Sequence, residues 1–169
     1  MQEIVYYRWR NWYRKGNHLI MRVVLQRVSF ASVEVEGEIV GKIGKGIMAL
    51  IGINSTDDES AYKYIVDKII NIRIFEDDGG KMNLSVNDID GGILIIPNFT
   101  LYADARKGRR PSFVMGAKPD EAESKFNEFI KFIKGAYDSV ETGIFRADMK
   151  VELLNDGPVT ILLDSDKNF

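Results

Sequence analysis

The sequence predicts an α+β protein in which mostly antiparallel strands form a barrel-like core with two main helices. Residues 22–53 alternate apolar and polar side chains between glycines, which is typical of strands. Two segments, 57–72 and 118–137, instead place apolar residues at helical spacing. Residues 139–145 and 149–165 again indicate strands, so the order is strands, helix, strand, helix, strands.

The first elements are a β-meander and a helix. The meander over 22–53 turns at Glu36-Gly37 and at Lys45-Gly46. The helix follows Ser55-Thr56-Asp57, whose side chains are good N-caps, and runs from about 57 to 72. Its apolar positions recur at helical spacing: Tyr62, Ile65, Val66, Ile69 and Ile72.

A strand and a loop lead to the second helix. Residues 91–104 predict a buried strand that unusually carries Pro97, and residues 105–113 form a basic loop. The second helix lies within 118–137 and ends at Gly135. Its apolar face contains Ala122, Phe126, Phe129, Ile130, Phe132 and Ile133.

Residues 1–20 differ in composition from the rest of the chain. They contain both tryptophans, the single histidine, His18, and four basic residues against the single acidic residue Glu3. Such a segment is either an aromatic and basic arm for RNA or a membrane surface, or a non-native, disordered extension. We favour the extension, and we expect residues 21–169 to form one domain, because Met21 opens a strand-like run.

The composition excludes several kinds of chemistry. The chain has no cysteine, and after Met21 it has no histidine, so a Ser-His-Asp or Cys-His system and a usual zinc site are excluded there. The acidic run Glu76-Asp77-Asp78 matches no calcium loop and predicts a solvated turn. We expect no metal and no cofactor. An enzyme of this composition must use carboxylates, hydroxyls, lysines, backbone amides or groups on its substrate.

The same composition predicts a cytoplasmic protein. No apolar run reaches the roughly 18 residues of a membrane span, and the N-terminus lacks the pattern of a secretory signal. The absence of cysteine fits a reducing compartment.

Two neighbouring stretches could carry function. Arg106, Lys107, Arg109 and Arg110 give a local positive field suited to phosphates, or they belong to an ordinary solvated loop. Upstream, Pro97 breaks strand pairing, which would expose the amides of Phe99 and Thr100 and the side chains of Asn98 and Thr100. Exposed amides can cradle an oxyanion; the alternative is an edge strand that tolerates one proline.

The stretch "NDGPVT", residues 155–160, allows two interpretations. It can be a hairpin turn at Asn155-Asp156-Gly157, with Pro158 as the first residue of the returning strand. It can instead present bare backbone carbonyls at Gly157-Pro158. In X-Pro bonds the cis form costs only about 0.5–1 kcal/mol. A cis bond would direct two carbonyls to one side, where they could hold an ammonium group.

Three stretches together resemble a known family: "MRVVLQRVSFASVEV", "PNFTLYADARKGRRPSF" and "VETGIFRADMKVELLNDGPVT". They are similar to D-aminoacyl-tRNA deacylases, the D-Tyr-tRNA(Tyr) deacylase family, from Met21 to about Leu163. The resemblance implies that family's fold and a homodimer with active sites at the interface. It also implies hydrolysis of the ester of D-aminoacyl-tRNA, and of glycyl-tRNA mischarged on tRNA(Ala), as a proofreading step.

The resemblance also implies residue roles. Gly157 and Pro158, joined by a cis bond, enter the partner's pocket, where their carbonyls hold the substrate's ammonium group and exclude an L side chain. Arg27 helps to hold that dipeptide. The roles of the remaining positions follow in the same way: Phe145 and Met149 line the adenine pocket, Asn98 contacts substrate, Phe99 and Thr100 are catalytic, and the basic loop contacts tRNA phosphates.

Thr100 matches a proposed nucleophile, but a second mechanism gives the chemistry to the RNA's own 2′-hydroxyl, with the Phe99 and Thr100 amides stabilising the oxyanion. Two positions depart from the family pattern: Pro97-Asn98 replaces Ser-Gln, and Arg146 replaces a glycine. Because a related animal deacylase with proline there removes L-alanine, a relaxed-chirality L-alanyl-tRNA deacylase is an alternative. A catalytically weakened tRNA-binding module is another.

Overall fold

The computed structural model describes residues 20–114 and 116–168. The predicted extension, residues 1–20, lies outside this range except for Ile20. The strands are β1 (Arg22–Val35), β2 (Glu38–Ile43), β3 (Gly46–Gly52), β4 (Phe75–Glu76), β5 (Met82–Leu84), β6 (Gly92–Pro97), β7 (Val140–Thr142) and β8 (Met149–Asp164). The helices are α1 (Glu59–Asn71), a 3-10 helix (Phe99–Tyr102) and α2 (Pro119–Ala136).

The long strand β1 lies at the centre of the main sheet. On one edge, β3 pairs with residues 22–28 and β2 pairs with residues 31–35, while β8 pairs along the other edge. The predicted meander is therefore wrong in its pairing, since β3 lies beside β1 and not beside β2. A strand of 14 residues is long enough to pair with both β2 and β3, one after the other.

The sheet is mostly antiparallel, as predicted, but β6 runs parallel to both β3 and β7. The connection from β3 to β6 contains α1, as a parallel crossover requires. The order along the sheet is β2-β1-β3-β6-β7, and β2 also contacts β6 and β7. The sheet is thus nearly closed on itself, which confirms the predicted barrel-like core.

Helix α1 begins later than the sequence predicts. Asp58 is the N-cap, and its Oδ1 accepts hydrogen bonds from the amides of Ser60 and Ala61 at 2.9 and 3.1 Å. The predicted cap, Asp57, is buried and accepts a hydrogen bond from the Asn54 amide at 2.7 Å. The predicted apolar face is buried at Tyr62, Ile65, Val66 and Ile69.

Helix α2 agrees closely with its prediction. Pro119 occupies the first turn, where its missing N–H costs no hydrogen bond. Gly135 does not end the helix, which continues to Ala136. Four predicted apolar positions are buried: Ala122, Phe126, Phe129 and Ile133. The rings of Phe129 and Tyr62 meet edge to face at 5.6 Å, joining the two helices over the core.

Of the two interpretations of residues 155–160, the hairpin is wrong, because β8 is one strand from Met149 to Asp164. Val28 pairs with Asn155, and Gln26 pairs with Thr160. Four residues of β8, 156–159, therefore lie opposite Arg27 alone, and we call them the 156–159 bulge. The turn-forming residues produce a local excursion because β1 continues past them as a pairing partner.

Two other predicted strands are shorter than expected. The strand predicted over 91–104 ends at Pro97 and is followed by the 3-10 helix. The strand predicted over 139–145 is confined to Val140–Thr142. Among the described residues, neither α-helix combines the length and the apolar character needed to cross a bilayer.

Candidate active site

A cleft of about 480 Å³ lies where β6 ends and β8 begins. It brings together four residues that the sequence predicts to be functional: Asn98, Phe99, Phe145 and Met149. The lining is largely apolar, with Ile96, Pro97, Phe113 and Ala122 among the other contributors. Thr100, although next to Phe99, is not part of this lining, and neither are the four cations of the basic loop. Arg27, Gly157 and Pro158 are also outside it and form a second, separate group.

The 3-10 helix sets the geometry at one wall of the cleft. Pro97 pairs with Ile51 as the last residue of β6, and the Asn98 amide donates to the Ile51 carbonyl at 2.8 Å. Asn98 Oδ1 then accepts from the Thr100 amide at 3.0 Å and from the Thr100 hydroxyl. The sequence predicts that the amides of Phe99 and Thr100 are both exposed, but the Thr100 amide already donates its hydrogen bond to Asn98. The Phe99 amide has no acceptor among the described residues.

The 3-10 helix is anchored from below by Tyr102 and Arg22. The Tyr102 hydroxyl donates to the carbonyls of Ile20 and Gly52 at 2.7 and 2.9 Å, and burial raises the pKa of this phenol. The Arg22 guanidinium lies over the Tyr102 ring and donates to the Leu101 carbonyl at 2.8 Å. These buried contacts hold Phe99 and Thr100 at a fixed position on the rim.

Phe99 projects into the cleft mouth, with 62% of its surface exposed. Its ring meets Phe113 edge to face at 5.4 Å, and Phe113 is itself partly exposed. Sequence reasoning missed Phe113 as a site residue. Its only signal is that a large apolar residue ends the basic loop, where an exposed ring is unfavourable unless it contacts something.

The opposite wall is formed by the connection between β7 and β8. Phe145 packs its ring on Phe126 of α2 at 5.8 Å, and Met149 opens β8 beside it. A Cβ on Gly143 would lie 2.6 Å from the Met149 sulfur, so this glycine leaves room for the methionine. Phe145 and Met149 thus line one cleft together with Phe99 and Phe113, and rings and a thioether are a lining suited to a flat apolar group.

Arg146 lies on the same connection and lines the cleft. Its backbone has a φ of 64°, a left-handed conformation that favours glycine. The guanidinium pairs with Asp120 at 2.6 Å and with Glu123 at 3.4 Å, both on the first turns of α2. The arginine therefore spans from the loop to the helix and has its charge balanced by two carboxylates.

The basic loop leaves the 3-10 helix and returns to Phe113, so both of its ends lie at the cleft. A bridge between Asp104 and Ser112 closes its base. Arg106 forms an ion pair with Asp104. Lys107, Arg109 and Arg110 are exposed and form no ion pair within the part of the chain that the structure describes.

The second group of predicted residues lies in the 156–159 bulge. Arg27 is only 6% exposed. Its Nε donates to the Asp156 carbonyl at 2.8 Å and lies 3.2 Å from Asp156 Oδ2, while an Nη donates to the Ile74 carbonyl at 2.6 Å. Gly157 and Pro158 are exposed, and the peptide bond between them is cis.

The bulge is far from the cleft of its own chain. Met149 is at the cleft, and Asn155, at the base of the bulge, lies six residues further along β8. At about 3.3 Å per residue, Met149 and Asn155 are roughly 20 Å apart along β8, and Val151, the last residue of the strand that lines the cleft, is roughly 13 Å from Asn155. Within residues 20–114 and 116–168, no three side chains of the metal-binding types come together.

Comparisons with known proteins identify the family. The family model for D-Tyr-tRNA(Tyr) deacylase matches residues 24–164. A D-aminoacyl-tRNA deacylase of Clostridium botulinum (strain Eklund 17B / Type B) is 56% identical over 149 residues, which are 88% of this chain and 100% of that protein. The enzyme of the same name from Halothermothrix orenii is also 56% identical, over the same shares of both chains.

Solved structures share the fold of this chain. One named "c-Myc DNA Unwinding Element Binding Protein" has 40% identity and a TM-score of 0.79, covering 84% of this chain and 97% of its own. Another, described as a probable eukaryotic D-amino acid tRNA deacylase, has 22% identity and a TM-score of 0.73 over 86% and 99%, and shows the shared fold. The family resemblance inferred from the sequence is confirmed, and this chain belongs to the D-Tyr-tRNA(Tyr) deacylase family of hydrolases.

Proposed function

We propose that this chain hydrolyses the ester bond of D-aminoacyl-tRNA in the cytoplasm, with the exposed bulge of one subunit completing the cleft of a second subunit. The observation that carries the proposal is the separation of the two groups of site residues. The cleft has apolar walls and an unpaired amide, while the exposed Gly157-Pro158 dipeptide lies beyond Asn155, which is roughly 13 Å along β8 from Val151, the last cleft residue of that strand. Two copies of the chain can bring the groups together.

The cleft fits the terminal adenosine of tRNA. Its volume of about 480 Å³ lies in the ordinary range for small-molecule sites. Phe145 and Met149 offer one face to an adenine ring, and Phe99 and Phe113 lie across from them. Stacking on such side chains holds a base without a dedicated set of hydrogen bonds. The basic loop beside the cleft supplies charge for the phosphates that precede the terminal nucleotide.

The chemistry needs little from protein side chains. Water adds to the ester carbonyl carbon, the bond to the ribose oxygen breaks, and the ribose leaves with a proton while the amino acid is released. The RNA's 2′-hydroxyl assists that proton transfer, and the free Phe99 amide donates to the developing oxyanion. This assignment of the chemistry fits the residues that the structure describes, because none of them is a histidine or a cysteine.

Chirality is read by the bulge. The carbonyl oxygens of Gly157 and Pro158 accept hydrogen bonds from the substrate's α-ammonium group, so they lie against the side of the α-carbon that an L side chain would occupy. A D side chain points away, and glycine has no side chain to exclude. Glycyl-tRNA mischarged on tRNA(Ala) is therefore a second substrate.

A homodimer fits the exposed face of β8. The edge of β8 that faces away from β1 has no partner strand among the described residues. On the same strand, the side chains of Leu154 and Leu162 are 54% and 48% exposed. A long unpaired edge strand with exposed leucines is a ready surface for a second chain.

Paired D- and L-tyrosyl-tRNA test the function. We expect the purified dimer to release D-tyrosine and to leave L-tyrosyl-tRNA intact, and we expect it to hydrolyse glycyl-tRNA(Ala). Equal rates on both stereoisomers, or cleavage of L-alanyl-tRNA, would support the alternative of relaxed chirality that Pro97 suggests. If the protein binds tRNA in a salt-sensitive way but hydrolyses none of these substrates, it is a tRNA-binding module and not a deacylase.

A further inference from the structure

The side chain of Asn155 spans the base of the 156–159 bulge. Its Nδ2 donates to the Arg27 carbonyl on β1 at 3.0 Å and to the Val159 carbonyl at 3.1 Å. Both acceptors are backbone oxygens, so the orientation of the amide is fixed by its partners. One side chain thus joins the two ends of the bulge to each other and to the neighbouring strand.

Asn155 also occupies the space beneath Gly157. A Cβ added at Gly157 would overlap Asn155 Oδ1 and lie 3.1 Å from its Cγ. The next nearest atom, the Val159 nitrogen, is at 3.4 Å, an ordinary contact. The requirement for glycine at 157 therefore comes from the asparagine amide, which cannot move aside without breaking its two hydrogen bonds.

Arg27 and Asn155 hold opposite ends of the bulge. Arg27 Nε donates to the carbonyl of Asp156, the first residue of the bulge, and Asn155 holds Val159, the last. The two residues between these anchors, Gly157 and Pro158, are the exposed ones. Because both ends of the bulge are held, the backbone of Gly157 and Pro158 between them is restrained in its orientation.

We propose that Asn155 is a positioning residue for chiral selection, which fixes the direction of the Gly157 and Pro158 carbonyls through its two hydrogen bonds. The inference rests on the proposed function, because the direction matters only if those carbonyls meet the substrate. Loosening the bulge lets the dipeptide retreat from an L side chain and weakens its hold on the ammonium group. Discrimination falls, while the cleft that binds adenosine is unchanged.

Asn155→Asp tests this inference with almost no change of shape. A carboxylate cannot donate to the two carbonyls and is repelled by them. We expect kcat/KM to fall for D-tyrosyl-tRNA and to rise for L-tyrosyl-tRNA, so that the D-to-L ratio drops about ten-fold or more. Asn87→Asp, at an exposed turn, introduces the same charge away from the bulge and is the matched control.

The outcomes separate the two proposals. A wild-type protein without preference for the D substrate overturns the proposed function. A selective wild type whose ratio is unchanged in both Asn155→Asp and Asn155→Ser overturns the role of Asn155 alone. A purely structural role also contradicts the inference, since it lowers both rates by the same factor as folded protein is lost.

A second measurement needs no activity. Gly157→Ala is expected to lower the urea midpoint of the wild-type protein, because the new methyl group displaces the Asn155 amide. In an Asn155→Ala background the amide is absent, so the methyl group of Gly157→Ala fits without displacing it. The effect of Gly157→Ala on the urea midpoint is then expected to be clearly smaller. Equal effects in the two backgrounds would contradict the close approach on which the inference depends.

Discussion

At the scale of single residues, Thr100 lies next to the cleft residue Phe99, and its hydroxyl has no base as a hydrogen-bond partner. The Thr100 hydroxyl donates to the amide oxygen of Asn98, which cannot accept a proton permanently. We therefore expect Thr100→Ala to keep kcat for D-tyrosyl-tRNA within about ten-fold of wild type. Single-turnover hydrolysis measures this directly.

A nucleophilic Thr100 makes the opposite prediction. Loss of a nucleophile costs about a thousand-fold or more in kcat. Thr100→Ser, which keeps the hydroxyl and its bond to Asn98, is the control for changes in the 3-10 helix. A loss of that size in the alanine variant, with serine active, would assign the chemistry to the side chain instead of the RNA.

Asp57 is a buried residue whose charge disfavours folding at neutral pH. Burial raises its pKa to about 6, although the amides of Asn54 and Met21 partly oppose the shift. Because the folded protein binds this proton more tightly than the unfolded chain, stability falls as the pH rises from about 4 to above 6. The shift corresponds to roughly 2–3 kcal/mol.

The variant Asp57→Asn should remove this dependence. In urea unfolding, the free energy of unfolding of the variant, relative to that of the wild type, is expected to increase between pH 4.5 and pH 7.5. Asp58→Asn provides the contrast, because the hydroxyl of Ser60 and the amides of the helix start lower the pKa of Asp58. Its stabilisation is lost as the pH falls, so a parallel response of both variants would contradict this assignment.

At the residue scale, the composition limits the chemistry that the sequence can predict. The absence of cysteine, and of histidine after Met21, was enough to direct attention to backbone groups and to the substrate. The sequence could not reveal that Asn98 occupies the Thr100 amide, nor that Asn155 lies beneath Gly157. Both contacts depend on how the backbone turns, which local composition does not determine.

At the scale of elements, the bulge shows how tertiary pairing overrides local turn chemistry. Asn-Asp-Gly-Pro favours a hairpin, but β1 continues as a partner on both sides, so the chain makes a four-residue excursion and resumes its strand. The helices were predicted well because their apolar periodicity is long. Strand pairing was predicted poorly. Both β2 and β3 pair with the same edge of β1, and the alternation of apolar and polar residues does not show which strands pair with each other.

The basic loop is expected to contribute to tRNA binding through charge alone. Replacing Lys107, Arg109 and Arg110 with alanine should weaken binding of all tRNAs alike. The logarithm of the binding constant falls linearly with the logarithm of the salt concentration. For each phosphate that the loop no longer neutralises, this slope should become less negative by about 0.7–0.9. Lys63→Ala on α1, distant from the cleft, is the control, and an unchanged slope in the loop variant would exclude the loop from the interface.

Arg146 links the β7–β8 connection to α2 at the rim of the cleft. Because Asp120 and Glu123 balance its charge, Asp120→Asn with Glu123→Gln should free the guanidinium for RNA. We expect KM for aminoacyl-tRNA to fall roughly three-fold at low salt, the scale of an exposed ion pair. The gain should be smaller in an Arg146→Ala background; an equal gain there would mean that the carboxylates act without the arginine.

At the scale of the whole molecule, the proposed site requires two copies of the chain. The fold holds the bulge through buried contacts of Arg27 and holds the cleft through Tyr102 and Arg22, so neither group is free to travel the distance between them. Apart from the family resemblance, which implies a pocket shared between two subunits, the spacing of residues along the chain does not indicate this separation. Only the continuity of β8, which places Met149 and Gly157 far apart on one strand, reveals it.

Mixed dimers test the central claim most directly. One chain carries Phe145→Ala and Met149→Ala with an intact bulge, and the other carries Gly157→Ala with an intact cleft; two different tags isolate the heterodimer. If each cleft is completed by the partner's bulge, the heterodimer has one whole site and should hydrolyse D-tyrosyl-tRNA selectively at about half the wild-type kcat. No D-selective hydrolysis above that of the two mutant homodimers would contradict the account.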